Sequence, residues 1–64
     1  MKILDFSIIT VCLNSEKTIL DTVRSIQKQN FKNYEHVIID GGSTDSTRSI
    51  IENIDDGRII LKSQ

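Results

Sequence analysis

Five consecutive residues, Asp40-Gly41-Gly42-Ser43-Thr44, carry the chain's most pointed chemistry, because they follow directly on the apolar run Val37-Ile38-Ile39. A short β-branched run of this kind reads as a strand buried on both faces. Asp40 then falls where the strand ends. Gly41 and Gly42 free the backbone to turn sharply beside a ligand, and Ser43 and Thr44 offer hydroxyls to the unpaired N–H groups of a following helix. The pattern places one carboxylate and a concentration of backbone N–H groups at the carboxyl edge of a sheet, where open α/β sheets bind ligands.

The elements needed to position that turn are legible on either side. Phe6 to Val11 (Phe-Ser-Ile-Ile-Thr-Val) reads as a first strand, and Tyr34 to Ile39 as a second. Between them, Ile19, Val23 and Ile26 recur at helical spacing from Glu16 to Gln29, with Asn14 or Ser15 as the expected cap and Asn30 to Asn33 as a loop. A second helix is expected from Thr44 to Ile54, with Asp45 favourable to its N-terminal dipole and Asp55-Asp56-Gly57 ending it. Arg58 to Lys62 reads as a third strand. The order β-α-β-α-β with right-handed crossovers predicts an α/β fold, a three-layer Rossmann-like parallel sheet.

Size and composition narrow the function. The chain has 64 residues, a net charge of −1, no proline and one cysteine. One small domain is the ceiling, and a disulfide within the chain is excluded. The eight Lys and Arg residues are scattered, so nucleic acid is not an expected partner. No apolar run approaches the ~20 residues that span a bilayer, and no signal-peptide core follows Met1-Lys2. A cytoplasmic location, extending to the inner face of the membrane, is expected.

The layout itself implies an incomplete unit. With strands in the order 3-2-1 the first strand lies on an open edge, yet Ile8-Ile9-Thr10-Val11 lacks the proline, bulge or inward charge that protects an edge. Residues 1–64 are therefore expected to be a single partial domain, the N-terminal part of a larger one.

Taken together, Ser7-Ile8-Ile9-Thr10-Val11-Cys12-Leu13-Asn14, the helix after it, Phe31-Lys32-Asn33-Tyr34-Glu35, and Val37 to Thr47 resemble the amino-terminal segment of family 2 glycosyltransferases. The resemblance covers nearly the whole chain. It implies the N-terminal, nucleotide-binding part of a GT-A fold, and an enzyme that moves a sugar from a nucleotide-diphospho-sugar donor to a glycan or lipid-linked acceptor in surface polysaccharide synthesis. The family's nucleoside-holding positions fall on Thr10, Leu13, Asn14 and Asp40, with Gly41 and Gly42 completing the turn. Two positions depart from the family pattern. Leu13 stands where tyrosine is common, and Gly41 replaces the second acid of Asp-Asp-Gly-Ser, removing one acceptor for the base. Mg²⁺ or Mn²⁺ is implied for the full-length enzyme through an Asp-x-Asp motif that this chain lacks, as it lacks the later carboxylate that serves as general base. The segment alone is expected to be inactive.

Rival readings stand beside this one. A small non-catalytic interaction module pairing through its open edge, or a truncated gene remnant, accounts for the same strands. A flavodoxin-like or receiver-like domain needs a phosphate loop or acidic cluster after the first strand, and a P-loop needs glycines and a lysine that are absent. Asp40 also has a plain reading as a turn-capping carboxylate, and Asn14, Ser43 and Thr44 as caps. Asp55-Asp56 reads as a solvated turn and His36 as a strand-packing residue. Cys12 is assigned no chemistry, and Arg48 is expected to pair with Glu52.

Overall fold

The computed structural model describes residues 6–29 and 33–63, so Asn30 to Lys32 of the expected loop lie outside the described residues. In chain order the elements are β1 (Phe6–Cys12), α1 (Ile19–Gln27), β2 (Tyr34–Asp40), α2 (Thr47–Glu52) and β3 (Ile59–Ser63). The strands form a parallel sheet in the order β1-β2-β3, with Phe6 opposite Tyr34, Cys12 opposite Asp40, and Asp40 opposite Ser63. Both crossovers step the same way across the sheet, and right-handed connections then put both helices on one face.

That face holds the core. Side chains alternate along a strand, so Tyr34, His36, Ile38 and Asp40 of β2 all point toward the helices and all are buried. Cys12, Ile19, Val23, Ile38 and Ile51 form the buried cluster, with Ile50, Ile54, Ile59 and Leu61 packed against it. On the opposite face Ile9 and Val11 remain 66% and 72% exposed. Of the three layers expected, the described residues build two, the sheet and the helices on one side.

Both helices begin later than helical periodicity predicts. α1 starts at Ile19 rather than Glu16, and its cap position is Thr18 without a side-chain bond, not Asn14 or Ser15. Asn14 sits in the left-handed region at φ 48°, and the chain reaches the helix through a turn in which the N–H groups of Thr18 and Ile19 donate to Ser15 O. α2 runs only over Thr47–Glu52, not from Thr44 to Ile54. Of the residues shed from the two starts, Glu16, Thr44 and Asp45 are hydrogen-bonded across the loops. On α2, Arg48 pairs with Glu52 at 3.5 Å as its spacing predicts.

At the amino edge of the sheet a second knot fixes the helix layer. Only part of the Asp55-Asp56 turn is solvated, because the Asp56 carboxylate is nearly buried and accepts from Arg58 N, Nε and Nη2 and from Gln27 Nε2 of α1. The Arg58 hydrogen bonds hold its pKa down at about 2. The guanidinium lies 4.4 Å above the centre of the Tyr34 ring, which itself stacks on Phe6.

Candidate functional site

Parallel register brings the ends of β1 and β2 to the same height, and the loops that leave them, β1–α1 and β2–α2, meet at the carboxyl edge. Gly41 N donates to Cys12 O at 2.9 Å, extending the ladder one step past the strand. Beyond it each loop hydrogen-bonds the backbone of the other. Asn14 N donates to Ser43 Oγ at 2.8 Å, and Thr44 N donates to Asn14 Oδ1 at 2.8 Å. One residue further, Ser15 N donates to Thr47 Oγ1 at 2.8 Å and Glu16 N to Asp45 Oδ2 at 3.2 Å. The N–H groups of Asn14, Ser15 and Glu16 thus all find acceptors on the β2–α2 loop or the start of α2. The left-handed turn at Asn14 directs them there, a conformation asparagine tolerates better than most residues.

Asp40 stands behind this surface. It is 0% exposed, and its carboxylate accepts from Ser43 N at 3.2 and 3.3 Å and from the Ser43 hydroxyl. The plain role of a turn-capping acid is therefore fully built. Ser43 then relays the connection, since the same Oγ accepts from Asn14 N. Ser43 and Thr44 bind the opposite loop and not the first turn of α2. Asp45 closes its own turn by accepting from Thr47 N and the Thr47 hydroxyl. That hydroxyl, ahead of the N–H groups of Thr47 and Glu16, holds the Asp45 carboxyl below the ordinary carboxylate range.

Of the residues singled out by sequence, Leu13, Asn14, Gly41 and Gly42 come together as exposed groups on this edge. Gly42 adopts φ 99°, where only glycine is unstrained, whereas Gly41 has a conformation open to any residue and room for a side chain, its nearest neighbour to an added Cβ being Cys12 O at 3.6 Å. Thr10 lies deeper, half-buried on the helix face, with its hydroxyl 2.8 Å from Nε2 of His36. His36 is buried, and desolvation lowers its pKa despite the opposing charge of Asp56. Burial, seconded by the Asp40 carboxylate, pushes the Cys12 thiol up. Both residues are structural in placement. The sequence pattern does not single out Thr47 as a contributor, and it marks Asp45 only as a charge near a helix dipole. The available signal was the Asp-x-Thr spacing, which favours a local side-chain-to-backbone turn.

Among the described residues no group of three or more His, Cys, Asp or Glu side chains is placed to hold a metal ion. None of their helices is long and apolar enough to cross a membrane. An open groove of about 530 Å³ runs between α1 and α2, lined by residues such as Leu20, Arg24, Ile50 and Asp55, and includes none of the loop-edge groups.

A model of glycosyl transferase family 2 matches residues 7–64, which takes in all of the elements except Phe6 of β1, and both edge loops. The chain belongs to glycosyltransferase family 2. It is 48% identical over 54 residues to the Escherichia coli UDP-Glc:alpha-D-GlcNAc-diphosphoundecaprenol beta-1,3-glucosyltransferase WfaP, an alignment covering 84% of this chain and 22% of the relative. With the GalNAc(5)-diNAcBac-PP-undecaprenol beta-1,3-glucosyltransferase of Campylobacter jejuni it shares 36% identity over 55 residues, 83% of this chain and 18% of that protein. The chain thus spans about a fifth of the length of the curated relatives it matches. No solved structure matches it. The parallel α/β sheet described above is consistent with the N-terminal Rossmann-like part of the family's GT-A fold.

Proposed function

We propose that this segment holds the nucleotide of a nucleotide-diphospho-sugar donor, as the N-terminal part of a family 2 enzyme that transfers a sugar to a lipid-linked acceptor in surface glycan synthesis. The observation that carries the reading is the pair of loops clipped together at the carboxyl edge of a parallel sheet, in a chain whose family match runs through both. In this reading the nucleoside lies over the exposed Leu13, Asn14, Gly41 and Gly42. Thr10 and Asp40 form the support beneath. Leu13 offers an apolar platform without an aromatic face, and with no acid at position 41 the base is met by backbone groups of the turn. A relative named for UDP-Glc favours a uridine donor, and two relatives named for undecaprenol-linked substrates favour a polyprenyl-diphosphate acceptor, which would bring the enzyme to the inner face of the membrane.

The Mg²⁺ or Mn²⁺ that the family implies does not fit the described residues, since no acidic cluster among them can ligate it. Asp40 is enclosed by Ser43, and Asp45 by Thr47 and Glu16. No catalytic step is assigned to residues of this chain. The segment's part is to bind and orient the donor, and alone it should not transfer sugar.

The test is calorimetric titration of UDP, with and without Mn²⁺, into the complete protein encoded by the reading frame, followed by UDP release from UDP-glucose in the presence of a polyprenyl-diphosphate-linked sugar. Binding of UDP and acceptor-dependent release are expected. Indifference to uridine and guanosine diphosphates alike would overturn the proposal.

A further inference from the structure

The loop edge is held in part by a group that cannot itself touch a ligand, the hydroxyl of Thr47. Its side chain is 0% exposed, so no donor or acceptor reaches it. Yet its Oγ1 is shared by both loops: it donates to Asp45 within the β2–α2 loop and accepts from Ser15 N, directly after Asn14, at 2.8 Å. A hydroxyl can do both at once because it carries one proton and two lone pairs. Asp45 works in parallel, receiving Thr47 N on Oδ1 and Glu16 N on Oδ2.

We propose that Thr47, with Asp45, is a positioning residue of the donor site, fixing the Leu13-Asn14 turn against the Gly41-Gly42 turn so that the two exposed surfaces meet the nucleotide in one geometry. The inference rests on the reading of this edge as the donor-nucleotide site. Without the Thr47 hydroxyl, Ser15 N is left without its partner and the β1–α1 loop, still tied by the Asn14–Ser43, Thr44–Asn14 and Glu16–Asp45 bonds, is held less firmly against the β2–α2 loop. The nucleotide must then order that loop when it binds, which weakens affinity without removing any contact.

The test compares UDP affinity of the complete protein with its Thr47→Val, Thr47→Ser and Asp45→Asn variants, each at a temperature well below its unfolding transition. Valine matches threonine in shape and deletes the hydroxyl. It should weaken UDP binding about tenfold, the scale of one part-buried hydrogen bond whose donor loses its partner. Serine restores the hydroxyl and should bind within about threefold of wild type. Asparagine at 45 keeps an acceptor toward Thr47 but can turn an amide N–H toward Glu16 N, so it should weaken binding even if the valine variant fails to fold. Asp56→Ala, which loosens the far edge of the sheet, supplies the contrast: its thermal midpoint should fall while UDP affinity stays unchanged. Equal affinity of wild type, Thr47→Val and Asp45→Asn overturns the positioning role alone. A wild-type protein that binds neither UDP nor GDP overturns the donor-site reading and this inference with it.

Discussion

Replacing Asp40 by asparagine separates an acid that builds the turn from an acid that contacts the ligand. In the structure the carboxylate is 0% exposed and receives both the N–H and the hydroxyl of Ser43. Hydrogen bonds to a charged partner contribute about 1.5–3 kcal/mol each. Asparagine keeps one oxygen to accept from one Ser43 donor, loses the charge, and presents an N–H₂ group toward the other. The expected loss is therefore about 2–3 kcal/mol, one charge-assisted bond with some opposition between donors. Ser43→Ala removes the partner hydroxyl of the carboxylate and leaves the exposed Asn14 N to water, with an expected loss of about 1–3 kcal/mol, mostly from the bond to Asp40. Because both changes break the same bond, the double variant should lose less than the sum, with a coupling of about 1 kcal/mol or more. Urea unfolding of the complete protein and of the three variants gives these differences from midpoints at constant slope. UDP affinity should fall by similar factors in the two single variants, since each acts through the loop. If Asp40→Asn kept wild-type stability while losing UDP affinity a hundredfold, and Ser43→Ala bound normally, the carboxylate would have to face the ligand and the inward geometry would be refuted.

The two adjacent glycines should respond oppositely to alanine. Gly41→Ala meets only an ordinary contact with Cys12 O and should change stability by less than about 0.5 kcal/mol, whereas Gly42→Ala at φ 99° should cost about 1–2 kcal/mol, compared by the same urea midpoints. Asp56 should make the fold acid-sensitive: its pKa falls from 3.8 unfolded to about 2 folded, so its contribution of about 2 kcal/mol is present above pH 4 and is lost as pH falls toward 2. Asp56→Asn should flatten that part of the stability–pH curve, and an unchanged curve would show that the Arg58 contacts do not hold the charge. His36 acts in the same direction at higher pH. Burial lowers its pKa, so the unfolded chain takes up its proton first and stability is lost as pH drops below about 6.5; thermal midpoints between pH 5 and 8 should show a slope that His36→Gln reduces.

The strands were readable because their signal is local: β-branched runs from Phe6 and from Tyr34 extend in the structure only one residue beyond their expected ends, to Cys12 and Asp40. Helix starts were misread for the opposite reason. Glu16, Thr44 and Asp45 have ordinary first-turn chemistry, but their polar groups are claimed across the loops by partners about 30 residues away, as Glu16 N is by Asp45 and Thr44 N by Asn14. Periodicity contains no term for such a competitor. The same holds for the site. Asp40-Gly41-Gly42 marked the edge correctly as a turn, and the Asp-x-Thr spacing marks the bond between Asp45 and Thr47, two residues apart. That Thr47 also receives Ser15 N, 32 residues upstream, depends on the sheet. Parallel pairing sets Cys12 opposite Asp40, so both loops leave the sheet at one level and a single hydroxyl can reach both. A slip in that register would leave each motif unchanged in sequence while displacing one loop along the edge. The geometry of this candidate site is thus a property of strand register, and its residues meet at one edge only when β1 and β2 are paired in that alignment.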